Sequence, residues 1–106
     1  MFVIHAELTA KPGCADAYEK LLRKTISEWS KEPCFVKFAV HRSKTDPHRF
    51  MLWEVFTSEE EYNVLYSGEF FKNQSKLRAE LVVETETLRS DWTLIEEFGP
   101  TRTHVV

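Results

Sequence analysis

The sequence predicts an α+β domain of the ferredoxin-like class, with elements in the order strand, helix, strand, strand, helix, strand (βαββαβ). Two observations indicate this order. Four short stretches alternate apolar and polar residues or are apolar throughout, and turn residues bound them, as in β-strands. Two longer stretches repeat apolar residues every three or four positions, as on an amphipathic helix. The 106 residues suit a single domain, which we place at residues 1–106.

The first strand is predicted at residues 2–9, "FVIHAELT", where apolar and polar residues alternate and "KPG" follows as a stop. The first helix is predicted at residues 15–31. Its core-facing stripe consists of Tyr18, Leu21, Leu22, Thr25, Ile26 and Trp29. Pro33 ends the helix, because the residue before a proline avoids the helical region.

The second and third strands are predicted at residues 34–42 and 49–56, and the turn residues "SKTDP" between them indicate a hairpin. In the second strand, one predicted face carries Val36, Phe38 and Val40. The other predicted face carries Phe35, Lys37, Ala39 and His41. The third strand is apolar on both sides apart from Glu54, which shares its face with Phe50, Leu52 and Phe56.

A capping box begins the next helix, formed either by Thr57 with Glu60 or by Ser58 with Glu61. The inward side chains of this short helix are Tyr62, Leu65 and Tyr66. Gly68 interrupts the helix, and a further helix is predicted at residues 69–82. The last strand is predicted at residues 88–98, and residues 99–106 are predicted to form an extended C-terminal arm.

In this fold the helices cover one face of the antiparallel sheet, so the other face is left open. The residues predicted on the open face are largely apolar: Val3, Phe35, Met51, Trp53, Val55 and Ile95. A patch of this kind is rarely left in water, and a second sheet is the natural cover. The sequence therefore predicts a homodimer with the two sheets packed face to face.

Composition excludes several classes of function. The net charge is −3 and the 14 basic residues are scattered among 17 acidic ones, which does not suit nucleic acid binding. No apolar stretch approaches the roughly 20 residues of a membrane span, and no signal peptide is recognisable, so we expect no membrane association and a cytoplasmic location. Cys14 and Cys34 are then expected to be free thiols. No histidine pair has a metal-binding spacing and no glycine-rich phosphate loop is present, so no metal site or nucleotide site is predicted.

Several segments make the chain resemble the antibiotic biosynthesis monooxygenase (ABM) family of dimeric α+β-barrel proteins. They are "AELTAKPG" at 6–13, "EP" at 32–33, "FAVHRSKTDPHRFMLWE" at 38–54, "SEEEY" at 58–62 and "FFK" at 70–72. The resemblance implies a dimer with a pocket between sheet and helices in each subunit, often without a metal or organic cofactor. Relatives oxidise aromatic polyketides or quinols with molecular oxygen, while others act on a phosphorylated signalling sugar derivative or degrade haem.

The chain also departs from patterns that many members of this family share. Phe56 stands where many relatives carry a tryptophan, and Leu52 stands where some polyketide oxidisers use an asparagine. Leu65 and Phe70 occupy the positions of two family histidines, which weighs most against haem degradation. The aromatic residue at the start of the helix is kept as Tyr62.

Glu54 is the leading candidate for catalysis, because burial in an aromatic pocket would raise its pKa toward that of a general base. The alternative is a structural ion pair with a lysine or arginine. Tyr62 is predicted to hydrogen-bond the substrate, and His41 to move protons, unless it is only a strand-end or interface residue. The predicted pocket walls are Phe38, Phe56, Tyr66, Phe71 and Leu52.

The sequence thus favours a cofactor-independent monooxygenase that joins molecular oxygen to a small aromatic, quinol-like or enolisable substrate. Two alternatives remain open. The first is a binding dimer of the same fold that has no catalytic activity. The second is an isomerase of a small phosphorylated signalling metabolite, for which Lys72, Lys76 and Arg78 are the available phosphate ligands.

Overall fold

A computed structural model of the chain describes residues 1–99 and has the predicted order of elements. The strands are β1 (Phe2–Thr9), β2 (Phe35–Arg42), β3 (Arg49–Phe56) and β4 (Leu88–Thr93). The helices are α1 (Ala15–Trp29), α2 (Glu59–Tyr66) and α3 (Glu69–Leu81), and a 3-10 turn follows at Glu84–Glu86. Most of the predicted C-terminal arm, from residue 100 on, lies outside the described residues. Within residues 1–99, every helix is too short or too polar to cross a membrane.

The four strands form one antiparallel sheet in the order β2-β3-β1-β4, which confirms the ferredoxin-like fold. Directly paired residues point to the same side of a sheet. One such row across the four strands is Phe38, Glu54, Ile4 and Asp91. The next row is Val40, Leu52, Ala6 and Arg89. Both rows face the helices, and they form the floor on which the helices pack.

Helix α1 packs on this floor through the stripe that the sequence predicts. Its buried residues are Ala15, Tyr18, Leu22, Thr25 and Trp29. Tyr18 is 1% exposed and Trp29 is 2% exposed, and burial of side chains this large contributes roughly 1.5–3 kcal/mol each. The helix ends two residues before the predicted boundary of residue 31, where the Ser30 N–H bonds back to the Ile26 carbonyl.

A β-bulge in β2 overturns one predicted orientation. Between Phe35 and Lys37 the register with β3 shifts, so that Val36 is an extra residue. Phe35 therefore lies opposite Phe56 on the helix-facing side, with the two ring centroids 6.2 Å apart. The prediction that Phe35 lies on the open face is wrong, because strict alternation along the sequence cannot reveal a bulge.

The last strand is shorter than predicted. It ends at Thr93 instead of residue 98, and Ile95 lies beyond it with 94% of its surface exposed. Ile95 is therefore not part of the open face of the sheet. Trp92 opposite Val3, and Leu88 opposite Glu7, extend the open face instead.

Ser58 is the N-cap of α2, and of the two predicted capping pairs the contact between Ser58 and Glu61 is the one that forms. The Ser58 hydroxyl accepts a hydrogen bond from the Glu61 N–H at 3.2 Å. The Glu61 carboxylate accepts hydrogen bonds from the hydroxyls of Thr57 at 2.7 Å and Ser58 at 3.0 Å, and these bonds lower the pKa of that carboxyl. This cap fixes the first turn of α2 and so places Tyr62 against the sheet.

Candidate active site

A cavity lies between the helix-facing side of the sheet and the three helices. The volume open to the centre of a water-sized sphere is about 100 Å³. A single water needs roughly 10–15 Å³ on this measure, so the cavity has space for several waters or one small molecule. Its apolar floor and walls include Ile4, Ala6, Leu8, Leu21, Leu22, Trp29, Phe38, Leu52 and Phe71. Its polar lining consists of Tyr18, Thr25, Glu54, Tyr62, Tyr66, Gln74, Ser75, Arg78, Thr87 and Arg89.

Glu54 is the carboxylate of this cavity. It lies in β3 between Phe38 and Ile4 in the cross-strand row and is 8% exposed. Burial raises its pKa from the ordinary value of 4.5 to about 7, because the charged form loses its hydration. Arg89 and Arg78 oppose this shift. Neither arginine is within ion-pair distance, and the Glu54 carboxylate accepts no hydrogen bond from residues 1–99. The structural ion pair considered from the sequence is therefore not formed in the described part of the chain.

Tyr62 stands beside Glu54 at the start of α2. It is 4% exposed, and its ring lies 5.4 Å from Phe2 and 4.8 Å from Phe56, centroid to centroid. Burial raises the pKa of the Tyr62 hydroxyl, and the charge of Glu54 raises it further. The phenol therefore stays protonated at physiological pH. Because its oxygen accepts the contact from Arg89, its own proton remains available for a ligand.

Arg89 and Asp91 form a charged pair at one side of the cavity. The Arg89 Nε donates to Asp91 Oδ1 at 2.9 Å, and its Nη1 makes a long contact of 3.5 Å with the Tyr62 hydroxyl. The guanidinium also lies 5.5 Å from the centroid of the Tyr62 ring. Sequence analysis missed both residues. Alternation along β4 separates Arg89 and Asp91 from Leu88 and Trp92, but it does not say which of the two sets faces the cavity.

Aromatic side chains form the wall opposite the sheet. Trp29 and Phe71 are stacked, with centroids 5.5 Å apart and planes 12° from parallel. Tyr66 lies 3.8 Å from Phe71, and Phe38 lies 6.1 Å from Trp29. The structure thus brings four predicted wall residues to the cavity: Phe38, Leu52, Tyr66 and Phe71. It adds Trp29, which the sequence placed only in a core-facing stripe.

Two other predicted site residues lie away from this cavity. Phe56 is fully buried behind Tyr62 and Trp29 and does not line the cavity. His41 lies on the open face of the sheet, because it has the opposite parity to Phe38 along β2. Its Nδ1 is 3.3 Å from the Met51 carbonyl oxygen, and it lines a shallow depression beside the β2–β3 turn. The structure therefore does not bring His41 together with Glu54.

Helix α3 contributes a polar strip to the cavity. Gln74 is 5% exposed, and its Nε2 donates to the Thr25 hydroxyl at 3.2 Å. Arg78 lies one turn later on the same helix face. Two other cations predicted as phosphate ligands, Lys72 and Lys76, are exposed and do not line the cavity.

No group of three or more histidine, cysteine, aspartate or glutamate side chains that could hold a metal ion occurs within residues 1–99. Cys14 and Cys34 are free thiols, as predicted. The chemical resources of the cavity are therefore a carboxylate that titrates near neutrality, the phenols of Tyr18 and Tyr62, which burial keeps protonated, and two guanidinium groups, surrounded by aromatic rings. Such a site can take a proton from a bound molecule and stabilise the anion that remains.

Known proteins of the same fold provide an independent comparison. The structure superposes on a candidate antibiotic biosynthesis monooxygenase of Deinococcus radiodurans with a TM-score of 0.82 at 14% identity, covering 96% of this chain and 100% of that chain. It also superposes on a candidate antibiotic biosynthesis monooxygenase of Nitrosomonas europaea with a TM-score of 0.82 at 18% identity, covering 91% of this chain and 100% of that chain. A third match is SnoaB, a cofactor-independent oxygenase of Streptomyces nogalater, with a TM-score of 0.81 at 14% identity, covering 94% of this chain and 97% of that chain. At these identities the likeness shows the fold.

The family to which the chain belongs follows from its sequence. A search of curated proteins gave no significant match. The family model described as antibiotic biosynthesis monooxygenase matches residues 1–75, which include β1, β2, β3, Glu54 and Tyr62. That match spans well over half of the sequence, and the chain therefore belongs to the antibiotic biosynthesis monooxygenase family.

Proposed function

We propose that the protein is a cofactor-independent monooxygenase that acts on a small aromatic, quinol-like or enolisable compound bound in the cavity. The observation that carries the proposal is Glu54, a carboxylate that lines an aromatic cavity, is 8% exposed and has a pKa raised to about 7. A base with a pKa near the working pH transfers protons most effectively. Membership of the family and the likeness to SnoaB, a cofactor-independent oxygenase, support the same reaction class.

In the proposed reaction, Glu54 takes a proton from a CH₂ group next to an aromatic ketone and leaves a delocalised carbanion. The carbanion passes one electron to O₂, and the resulting substrate radical and superoxide combine to form a C–O bond. The peroxide takes the proton back as a hydroperoxide, which loses water and becomes a carbonyl. One oxygen atom thus enters the substrate and the other leaves as water, while the substrate itself supplies all the electrons.

The remaining cavity residues have supporting roles in this proposal. The Tyr62 hydroxyl donates to the ketone oxygen, where negative charge develops when the proton leaves. The stacked pair Trp29 and Phe71 supplies a flat wall for a planar substrate. The apolar surroundings exclude water, which would otherwise compete with O₂ for the position beside the carbanion.

Oxygen uptake with a panel of anthrones and hydroquinones tests the function. We expect one O₂ consumed per substrate converted, and Glu54→Gln to lower kcat by about 10²- to 10⁴-fold because it removes the base. Glu60→Gln is the matched control, since Glu60 is exposed on α2 away from the cavity. Equal rates for Glu54→Gln and the unmodified protein would exclude Glu54 as the base. Binding of these compounds without any oxygen uptake would instead favour the binding protein without catalytic activity.

We also propose that the protein forms a homodimer through the open face of the sheet. Trp53 is 39% exposed, Trp92 is 57% exposed and Leu88 is 62% exposed on this face. Light scattering at micromolar concentration should give twice the chain mass, and Trp53→Lys should give the monomer. Leu77→Lys is the control, because Leu77 is 44% exposed on α3, on the other side of the sheet. A monomeric unmodified protein would refute the dimer.

A further inference from the structure

Arg78 differs from the other arginines that the structure describes near the cavity. Arg89, which also lines the cavity, forms an ion pair with Asp91 at 2.9 Å. Arg42, which lies outside the cavity, forms an ion pair with Asp16, also at 2.9 Å. Arg78 lines the cavity and is half-buried, and within residues 1–99 its guanidinium forms no ion pair and no hydrogen bond. Its Nε is fully buried and has no hydrogen-bond acceptor among these same residues. A half-buried guanidinium without an acceptor is an unusual and costly arrangement.

The charges around the cavity leave a place for one negative group. Arg89 and Asp91 largely cancel each other because they are directly hydrogen-bonded. Glu54 and Arg78 remain, and burial favours the neutral form of Glu54. When Glu54 is protonated, Arg78 contributes one positive charge that no other described lining residue compensates. A ligand that carries a single negative charge would restore neutrality.

Resting on the proposed function, we propose that the substrate of this cavity is an aromatic or enolisable acid whose carboxylate binds to Arg78. The guanidinium holds a carboxylate through two parallel N–H donors, which fixes orientation as well as position. Gln74 and Ser75, one turn earlier on the same face of α3, offer further polar contacts to the same group. The acid thus binds at α3 while its reactive carbon faces Glu54 on β3.

A phosphate is a poorer fit than a carboxylate. A phosphate monoester carries close to two negative charges at neutral pH, whereas the described lining of the cavity offers one cation without an ion-pair partner, Arg78. Lys72 and Lys76, which could supply the second positive charge, are exposed and outside the cavity lining. The same observation weakens the isomerase alternative, which needs a site for a phosphorylated substrate.

Binding of the acid should depend on the protonation of Glu54. The groups that face Glu54 are Arg89 and Asp91 on β4, Arg78 on α3, Tyr62 on α2 and Tyr18 on α1. The two tyrosines stay neutral because burial raises the pKa of each hydroxyl. Ionised Glu54, the form that takes the substrate's proton in the proposed function, repels a carboxylate in the same cavity, so turnover goes through the fraction of the complex in which Glu54 has lost its proton. Affinity should therefore fall as the pH rises through about 7, the pKa of Glu54.

Calorimetric titration of the full chain without oxygen tests the proposal separately from turnover. The probes are 2-naphthoate and its neutral analogue 2-naphthamide. We expect the unmodified protein to bind 2-naphthoate at least about tenfold more tightly than 2-naphthamide. The Arg78→Gln substitution should weaken binding of 2-naphthoate by about 10- to 100-fold and have little effect on binding of 2-naphthamide. Lys76→Gln, which removes one charge from the exposed side of the same helix, should change either affinity by less than about twofold.

The result that would overturn the proposal is equal affinity of the unmodified protein for the acid and the amide. Unchanged binding of 2-naphthoate to folded Arg78→Gln would overturn it too, as would failure of the acid to bind at millimolar concentration. If Arg78→Gln does not fold, Arg78→Lys replaces it, and a loss of preference for the acid is again expected because a lysine cannot bind both carboxylate oxygens in parallel. Binding of 2-naphthoate, together with no oxygen uptake for any anthrone or hydroquinone of the panel, would support the subsite while contradicting the monooxygenase.

Discussion

Replacing Glu54 by glutamine should make the protein more stable at alkaline pH and leave it nearly unchanged at acid pH. Folding raises the pKa of Glu54 from 4.5 to about 7, so the folded state holds this proton more tightly than the unfolded chain does. The stabilisation is complete below pH 4.5 and is lost as the pH rises through about 7. At about 1.4 kcal/mol per pKa unit, the loss amounts to about 3 kcal/mol.

Glutamine has the shape of the protonated glutamate and cannot ionise, so Glu54→Gln should not suffer this loss. We therefore expect the variant to exceed the unmodified protein by up to about 3 kcal/mol in free energy of unfolding well above the pKa of about 7. Near pH 4.5 the two proteins should be equally stable to within about 1 kcal/mol. This gain in stability should accompany the loss of oxygenase activity, as expected where a catalytic group is held in an unfavourable environment.

Urea unfolding followed by circular dichroism, near pH 4.5 and well above pH 7, measures the difference in free energy of unfolding between Glu54→Gln and the unmodified protein. Both proteins are used at the same concentration, because dimerisation also affects stability. Other groups that titrate over this range are shared by the two proteins and cancel in the comparison. Glu60→Gln, at an exposed position, should show no pH-dependent difference from the unmodified protein. If the difference between Glu54→Gln and the unmodified protein were the same at both pH values, the burial argument for Glu54 would be refuted.

Two further substitutions test the contacts that hold the cavity in shape. Thr25→Val should reduce the free energy of unfolding by about 1–3 kcal/mol, because the buried Gln74 amide loses its acceptor at 3.2 Å, and a lower urea midpoint would show it. An unchanged midpoint would mean that Gln74 finds another partner. Ser58→Ala should lower the free energy of unfolding by about 1 kcal/mol, because the Glu61 N–H loses its acceptor, and the urea midpoint again measures the change. An unchanged midpoint would show that the bond from Thr57 to Glu61 is enough to maintain the cap.

The elements of the fold were predictable because their signals are local. Strand alternation, the helical stripe of α1 and the capping residues before α2 each depend on a few neighbouring residues. The errors occurred where local rules do not apply. The bulge after Phe35 reverses the face on which that side chain lies, and β4 ends at Thr93 although apolar residues continue to Phe98. Both depend on pairing with another strand, which a single stretch of sequence does not show.

The candidate site was predictable in part, for the same reason. The alternation of β3 and the resemblance to the family placed Glu54 on the cavity side, where the structure also has it. Tyr62 followed from the start of α2. By contrast, the face on which Arg89 and Asp91 lie depends on the register between β4 and β1, and the approach of Arg78 depends on how α3 packs on the sheet. No local pattern specifies either relationship.

The sequence by itself determined the order of elements, the family, and the presence of one carboxylate within an apolar strand. It did so because hydrophobic periodicity and caps are properties of consecutive residues. Only the tertiary structure decided that Glu54 has no partner among residues 1–99, that Arg89 is neutralised by Asp91 and that Arg78 is not. Charge pairing and desolvation are set by distances between residues far apart in the chain, and these distances exist only once the sheet and helices have packed together.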